Sequence, residues 1–219
     1  MENLISVHFD LGVEKTMNNK ERLEKQLDFI REIDKEKMIK RQNYITDCET
    51  REDDAQHAWH MAIMTLLLKE YANEDIDVLK TVTMLLIHDL VEVYAGDTYA
   101  YDEEGKKTQA EREAKAADKL YGLLPEDQGE YLKNLWYEFE EQKTPEARFA
   151  RTMDCFQPLI LNDATDGRAW KEHGVKRSQV LKRNERVRLG SEQIWEYEKE
   201  NLIEKNVRNG NIIDDRSGC

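Results

Sequence analysis

His88 and Asp89 stand side by side in an otherwise apolar run, MLLIHDLVEVYAGD, at residues 84–97. Polar side chains inside such a run cost free energy unless their atoms find partners. A bound cation would be a partner to both. Neighbouring side chains on a helix lie about 100° apart, so two of them can converge on an ion beside it. Glu92 follows His88 by four positions and Asp89 by three, which puts it on the same face. Asp97 comes just past Gly96, where the chain leaves the helix. The stretch therefore offers one imidazole and three carboxylates on one flank, a donor set for a cation. A bare His-Asp pair also has a plainer explanation: the imidazole donates to a backbone carbonyl and the carboxylate caps or forms an ion pair.

Three other places carry candidate chemistry. His57 and His60 are spaced i, i+3 near the start of a helical pattern and could chelate an ion together, or one could bind while the other packs. Arg51 lies six residues before His57, where a phosphate contact competes with an ordinary salt bridge to Glu49, Glu52 or Asp53. Asp154 sits between Met153 and Cys155 in an apolar helical stripe and needs a partner there: Arg148, Arg151, a backbone donor, or the cation of His88 and Asp89.

The elements that must position these groups read as helices. Apolar spacing at Met84, Leu85, Ile87, Leu90, Val91 and Tyr94 predicts one buried helix over residues 78–94, stopped by Gly96. Leu23, Leu27, Ile30 and Ile33 predict an amphipathic helix over residues 19–40. The turn-prone, acidic segment 46–54 ends in an N-cap, Asp53 or Asp54. A helix over 55–71 follows, with the stripe Ala58, Ala62, Ile63, Leu66 and Leu67. Residues 98–107 read as a loop, placed either as a lid or as an ordinary connection. Helices follow over 108–122 and 127–142. Thr144 caps and Pro145 opens a helix over 145–162 with Ala147, Ala150, Met153 and Phe156 inward. One or two further helices, with a basic cluster at residues 176–188, complete the chain. The division expected is a lead at 1–19, a domain at 20–163 and a helical extension at 164–219 packed on it.

The chain has 219 residues, enough for one sizeable core. Thirty-three basic against 46 acidic residues give a net charge of −13, which opposes binding to nucleic-acid backbones. Cys48, Cys155 and Cys219 have no CxxC spacing, which argues against a disulfide framework or a zinc-thiolate site. The first residues lack a secretory pattern and no run is long enough for a bilayer span, so a cytoplasmic protein without membrane contact is expected.

Taken together, Arg51-Glu52 with AQHAW (55–59), HDLVEVYAGD (88–97) and TPEARFARTMD (144–154) resemble the HD-domain superfamily of metal-dependent phosphohydrolases, nearest to its 5'-deoxynucleotidase branch. The resemblance runs over residues 20–163. It implies an all-α, HD-domain helical bundle, with His57, His88, Asp89 and Asp154 as metal ligands. Glu92 would be the catalytic carboxylate, Asp97 an orienting carboxylate, and Arg51 the contact to substrate phosphate. It further implies one divalent ion (Mn, Co, Zn, Fe or Ni), a phosphorylated small-molecule substrate, a nucleotide above all, and a homodimer or higher homo-oligomer. The expected reaction is hydrolysis of (deoxy)nucleoside 5'-monophosphates. The alternatives are another phosphorylated metabolite, a triphosphate or cyclic nucleotide, or a non-catalytic metal-binding module. Gln56 stands where the family pattern commonly has glutamate, and Asp53-Asp54 where it has small or apolar residues. These departures bear on base and sugar preference.

Overall fold

The computed structural model describes residues 18–216, so the lead expected at 1–19 lies outside the described residues save for Asn18 and Asn19. Helix α1 (Asn19–Ile33) starts at a capping box in which Asn18 accepts from the Glu21 N–H and Glu21 reaches back to the Asn18 N–H. A short 3₁₀ turn, Asp34–Met38, leads into β1 (Lys40–Tyr44). This strand pairs antiparallel with β2 (Arg51–Asp53), with Lys40 opposite Asp53 and Tyr44 opposite Arg51. The hairpin occupies part of the stretch expected to be turn and helix end. It is the only sheet among the described residues.

Asp53 caps α2 (Asp54–Leu68) in a second capping box with Gln56. Asp77 caps α3 (Val78–Ile87), accepting from the Lys80 N–H at 3.0 Å. The continuous helix expected over 78–94 is interrupted: α3 ends at Ile87, a tight turn carries His88 to Val91, and α4 (Glu92–Ala95) follows. The helix can stop there because side chains take its last carbonyls. The Tyr121 hydroxyl donates to the Ile87 carbonyl at 3.0 Å and the Trp136 indole N–H to the His88 carbonyl at 3.1 Å. Gly96, with φ of 75°, then turns the chain so that Asp97 leaves α4 at a new angle.

Helices α5 (Lys106–Tyr121) and α6 (Glu126–Glu141) pack in sequence, and Gln142 in the left-handed region ends α6. Thr144 caps α7 (Pro145–Ala164), with proline at its first turn as expected. This helix is the centre of the core: Ala147, Phe149, Ala150 and Met153 are fully buried among Met61, Met84, Leu85 and Phe139. Pro158 within it has no N–H to give the Asp154 carbonyl. Beyond it come α8 (Arg168–His173), α9 (Arg177–Asn184), α10 (Val187–Gly190), α11 (Glu192–Glu198), a π turn (Lys199–Glu204) and α12 (Lys205–Arg208). These hold to the body largely through α7, with further contacts to the hairpin and to the turn that follows α2. The Thr152 hydroxyl donates to the Val187 carbonyl at 3.0 Å, and Gly190 lies so close that a Cβ there would run into Thr152 and the Arg148 carbonyl.

Two apolar stripes face differently from expectation. On α2 the buried side is His57, Ala58, Met61, Ala62, Met64 and Thr65, whereas Trp59, Ile63, Leu66 and Leu67 are exposed. On α1 only Phe29 is buried, and Leu23, Leu27 and Ile30 face out. The amphipathic period is present in both helices, but the inward face of α2 is set by the polar and small residues that meet α7.

Candidate metal centre

Three elements bring the polar residues of this apolar interior together: α2 carries His57, the end of α3 carries His88, and α7 carries Asp154. The His57 Nδ1–H donates to Gln157 Oε1 at 2.9 Å, and His88 Nδ1–H donates to the Leu85 carbonyl at 2.9 Å. Each ring thereby spends its Nδ1 proton outward and turns an Nε2 lone pair inward. His57 Nε2 lies 3.3 Å and His88 Nε2 3.9 Å from the same oxygen, Asp154 Oδ1. Asp89 Oδ1 is 3.1 Å from His88 Nε2, yet that nitrogen is buried without a well-formed hydrogen bond. Among the described residues His57, His88 and Asp154 offer ligand atoms that all lie within 4.8 Å of one another. Acceptors facing acceptors at this range need a positive charge between them, and imidazole with carboxylate suits a borderline divalent ion.

The electrostatics point the same way. Burial, reinforced by Arg41, lowers the His57 pKa to about 4, so the ring is neutral. Burial works against protonating His88, but the Asp89 and Asp154 carboxylates outweigh it and raise its pKa to about 9. The centre therefore draws in a proton where a metal would serve. Burial also opposes the ionisation of Asp154, but the Arg151 guanidinium, 2.9 Å away, outweighs it and holds the carboxylate well below the usual range.

A ring of acids surrounds the cluster. Asp54 is fully buried and Glu52 nearly so, and burial pushes both pKa values up to about 7. Glu92 is buried with no partner for its Oε2, and burial, with Asp89, Asp54 and Asp97 nearby, raises its pKa well above the usual value. Asp97 is raised by burial and by Asp89, against the pull of Arg41. The Arg41 guanidinium spans the ring, donating to Asp54 at 3.0 Å and Asp89 at 2.8 Å.

The cluster opens into a cleft of about 820 Å³, its mouth included, whose walls bear Arg41, Asp89, Glu92, Asp97, Asp154 and Arg183. His57, His88 and Asp154 meet here, and Asp89, Glu92 and Asp97 line the cleft beside them, so the residues that the resemblance grouped lie in one place. Arg51 is not. It lies on β2 with its guanidinium on Glu172 at 2.8 Å and over the Tyr44 ring, and it lines no wall of this cleft. The hairpin register turns Arg41 inward in its place. His60 is half-buried and meets the Gln157 amide at 3.0 Å. Sequence reasoning passed over Arg41, Asp54, Gln157 and Arg183. A signal existed for two: Gln157 lies three residues after Asp154 on the same helix face, and Asp54 directly follows the cap.

The family model described as HD domain matches residues 33–195. A 5'-deoxynucleotidase HDDC2 of Bos taurus is 32% identical over 136 residues, which are 61% of this chain and 64% of that one. The Dictyostelium discoideum protein of the same name is 31% identical over 140 residues, covering 61% of this chain and 74% of that one. The chain thus spans a little under two thirds of the bovine relative's length. A crystal structure described as a predicted metal-dependent phosphohydrolase from Magnetospirillum magnetotacticum superposes with a TM-score of 0.84. It is 45% identical, covering 89% of this chain and 98% of that one.

Proposed function

The chain belongs to the HD domain family, and on that premise we propose that it is a metal-dependent phosphohydrolase acting on (deoxy)nucleoside 5'-monophosphates. The observation that carries this reading is the pair of inward Nε2 lone pairs sharing one Asp154 oxygen inside a ring of acids. The proposed metal ligands are His57, His88, Asp89 and Asp154. The 5'-deoxynucleotidase activity of the relatives supports the substrate class.

A divalent ion held there supplies Lewis-acid activation of a water and of a phosphoryl oxygen. The chain supplies the rest. Gln157 and the Leu85 carbonyl fix both imidazole rings in the tautomer that presents Nε2. Glu92 reaches the cleft with a free Oε2 beside Asp54, and so can hold a proton there and pass it to a leaving alkoxide. Asp97, set at the cleft mouth by the turn at Gly96, is an acceptor for a water or a sugar hydroxyl. Arg41, inward where Arg51 is not, offsets the charge of the carboxylates that ring the phosphate position.

Assembly as a homodimer belongs to the same proposal. Its support is the exposed stripe Trp59, Ile63, Leu66 and Leu67 on α2, next to exposed Leu79 and Leu86 on α3. A sedimentation mass of one chain at micromolar concentration would exclude it. No described helix is long and apolar enough to cross a membrane.

The test is Glu92→Gln beside Asp154→Ala. The first is expected to keep stoichiometric metal and lose phosphate release from a nucleoside 5'-monophosphate. The second is expected to lose both. Turnover surviving Glu92→Gln would remove Glu92 from its role, and full metal retention in Asp154→Ala would remove Asp154 from the ligand set.

A further inference from the structure

The cleft carries three guanidinium groups, and they differ in what already satisfies them. Arg41 is engaged by Asp54 at 3.0 Å and Asp89 at 2.8 Å. Arg151 is engaged by Asp154 at 2.9 Å and Glu140 at 3.0 Å. Arg183, near the end of α9, has no carboxylate within 4.0 Å and no hydrogen bond among the described residues. Burial works against its charge, Cys155, Asp154 and Tyr101 act in its favour, and Arg41 opposes it. It is half-buried and lines the wall shared by the metal-side cleft and an adjoining cavity that also bears Lys106, Arg151, Lys182 and Arg186.

Such a group cannot shed its proton, so its charge stays on the wall unneutralised. In a chain with a net charge of −13, a guanidinium kept clear of carboxylates beside a carboxylate-rich centre needs a reason. The mount is also fixed. Val180 is fully buried, Arg177 is tied to Glu204 at 2.8 Å, and the Ser178 N–H donates to Asp215 at 3.1 Å. Next to Arg183, Asn184 is buried with its amide N–H on the Val180 carbonyl at 2.9 Å and its Oδ1 without a donor. Asn162, across the same cleft, likewise leaves Oδ1 without one. On these walls the groups left without partners are thus two amide oxygens and the Arg183 guanidinium.

We propose that Arg183, contributed by the segment beyond α7, binds the substrate's phosphoryl group. Its fork of N–H donors would take the non-bridging oxygens that the metal side leaves free. The inference rests on the phosphohydrolase reading for its substrate, though its anion chemistry can be read separately. A phosphoryl dianion is the complement of this wall: Arg41 and Arg151 already serve carboxylates, and Arg183 alone has its fork free. The helical extension then belongs to the active site and is not an appendage to it.

The experiment uses the full chain loaded with Mn²⁺. Inorganic phosphate is titrated calorimetrically into the wild type, Arg183→Gln, Arg183→Lys and Arg208→Ala, the last an equal charge change at an exposed helix end that lines neither cavity. Phosphate affinity is expected to fall about ten- to hundredfold in Arg183→Gln, by less in Arg183→Lys, and not at all in Arg208→Ala. In steady-state hydrolysis of a nucleoside 5'-monophosphate, KM should rise by a similar factor and kcat change less. Unaltered phosphate affinity and KM in a folded Arg183→Gln overturn the proposal. If that variant does not fold, Arg183→Lys decides, with an unaltered affinity overturning it. A wild type that releases no phosphate from any monophosphate would count against the phosphohydrolase reading, while the titration would still judge Arg183.

Discussion

Replacing Gln157 by leucine isolates the part of the site that holds its geometry while leaving every proposed ligand in the sequence. The Gln157 side chain is fully buried and makes three contacts. Its Oε1 accepts from His57 Nδ1 at 2.9 Å, and its amide nitrogen meets Glu52 at 2.6 Å and His60 at 3.0 Å. Leucine fills a similar volume but offers none of these. His57 then keeps an Nδ1 proton with nowhere to put it, and the ring is free to turn or to move the proton to Nε2, where it would block the metal. Losing such an outer partner typically costs about ten- to hundredfold in metal affinity, or about 1.4–2.7 kcal/mol. Two buried groups left unpaired should also cost stability, at about 1–3 kcal/mol each. The assay is competition for Mn²⁺ or Co²⁺ with a chromophoric chelator, alongside thermal melts with and without metal. An affinity equal to that of the wild type, in a variant that melts cooperatively, would refute the claim that His57 is oriented through Gln157.

Other outcomes follow from single residues. Glu198 is fully buried with neither carboxylate oxygen partnered, and burial raises its pKa from 4.5 to about 9. The folded state therefore binds a proton that the unfolded chain releases. The stability it contributes is complete below pH 4.5 and is lost as pH rises towards 9, by at most about 1.4 kcal/mol per unit. Glu198→Gln should flatten the stability-against-pH curve between pH 5 and 8, and identical slopes in urea unfolding would contradict this. Gly190→Ala puts a methyl group against Thr152 and the Arg148 backbone, where the carbonyl cannot step aside. A loss of about 1–3 kcal/mol is expected, and an unchanged melting curve would show that the contact between α10 and α7 is looser than described.

The candidate site was legible in part because residue types break an apolar rhythm. His88, Asp89 and Asp154 are polar side chains in apolar helical runs that need partners, whereas His57 entered the set through the resemblance to the HD-domain family. The helix-rich character followed from the apolar rhythm, the all-α class from the resemblance, and the cap at Thr144-Pro145 from its own residue types. What escaped depends on contacts between elements. The end of α3 at Ile87 is set by Tyr121 and Trp136 reaching its carbonyls from two later helices, and no local signal announces that. The choice between Arg41 and Arg51 depends on the register of a hairpin with one irregularity in its pairing. Arg51 sits among acids in the sequence and Arg41 does not, and only the fold shows that Arg41 meets Asp54 and Asp89 whereas Arg51 meets Glu172. The outward face of α2 is a similar case. Periodicity finds the stripe of Ile63, Leu66 and Leu67, but cannot say that the histidine side is the one that packs on α7.

The account rests on a cation-dependent reaction at His57, His88, Asp89 and Asp154. The most direct measurement is phosphate release from a panel of ribo- and deoxyribonucleoside 5'-monophosphates, first by protein stripped with chelator and then with Mn²⁺, Co²⁺, Zn²⁺ or Mg²⁺ restored. The account predicts release that vanishes on stripping and returns with at least one of these ions. Release that persists in fully stripped protein, or none with any ion despite stoichiometric binding, would contradict it.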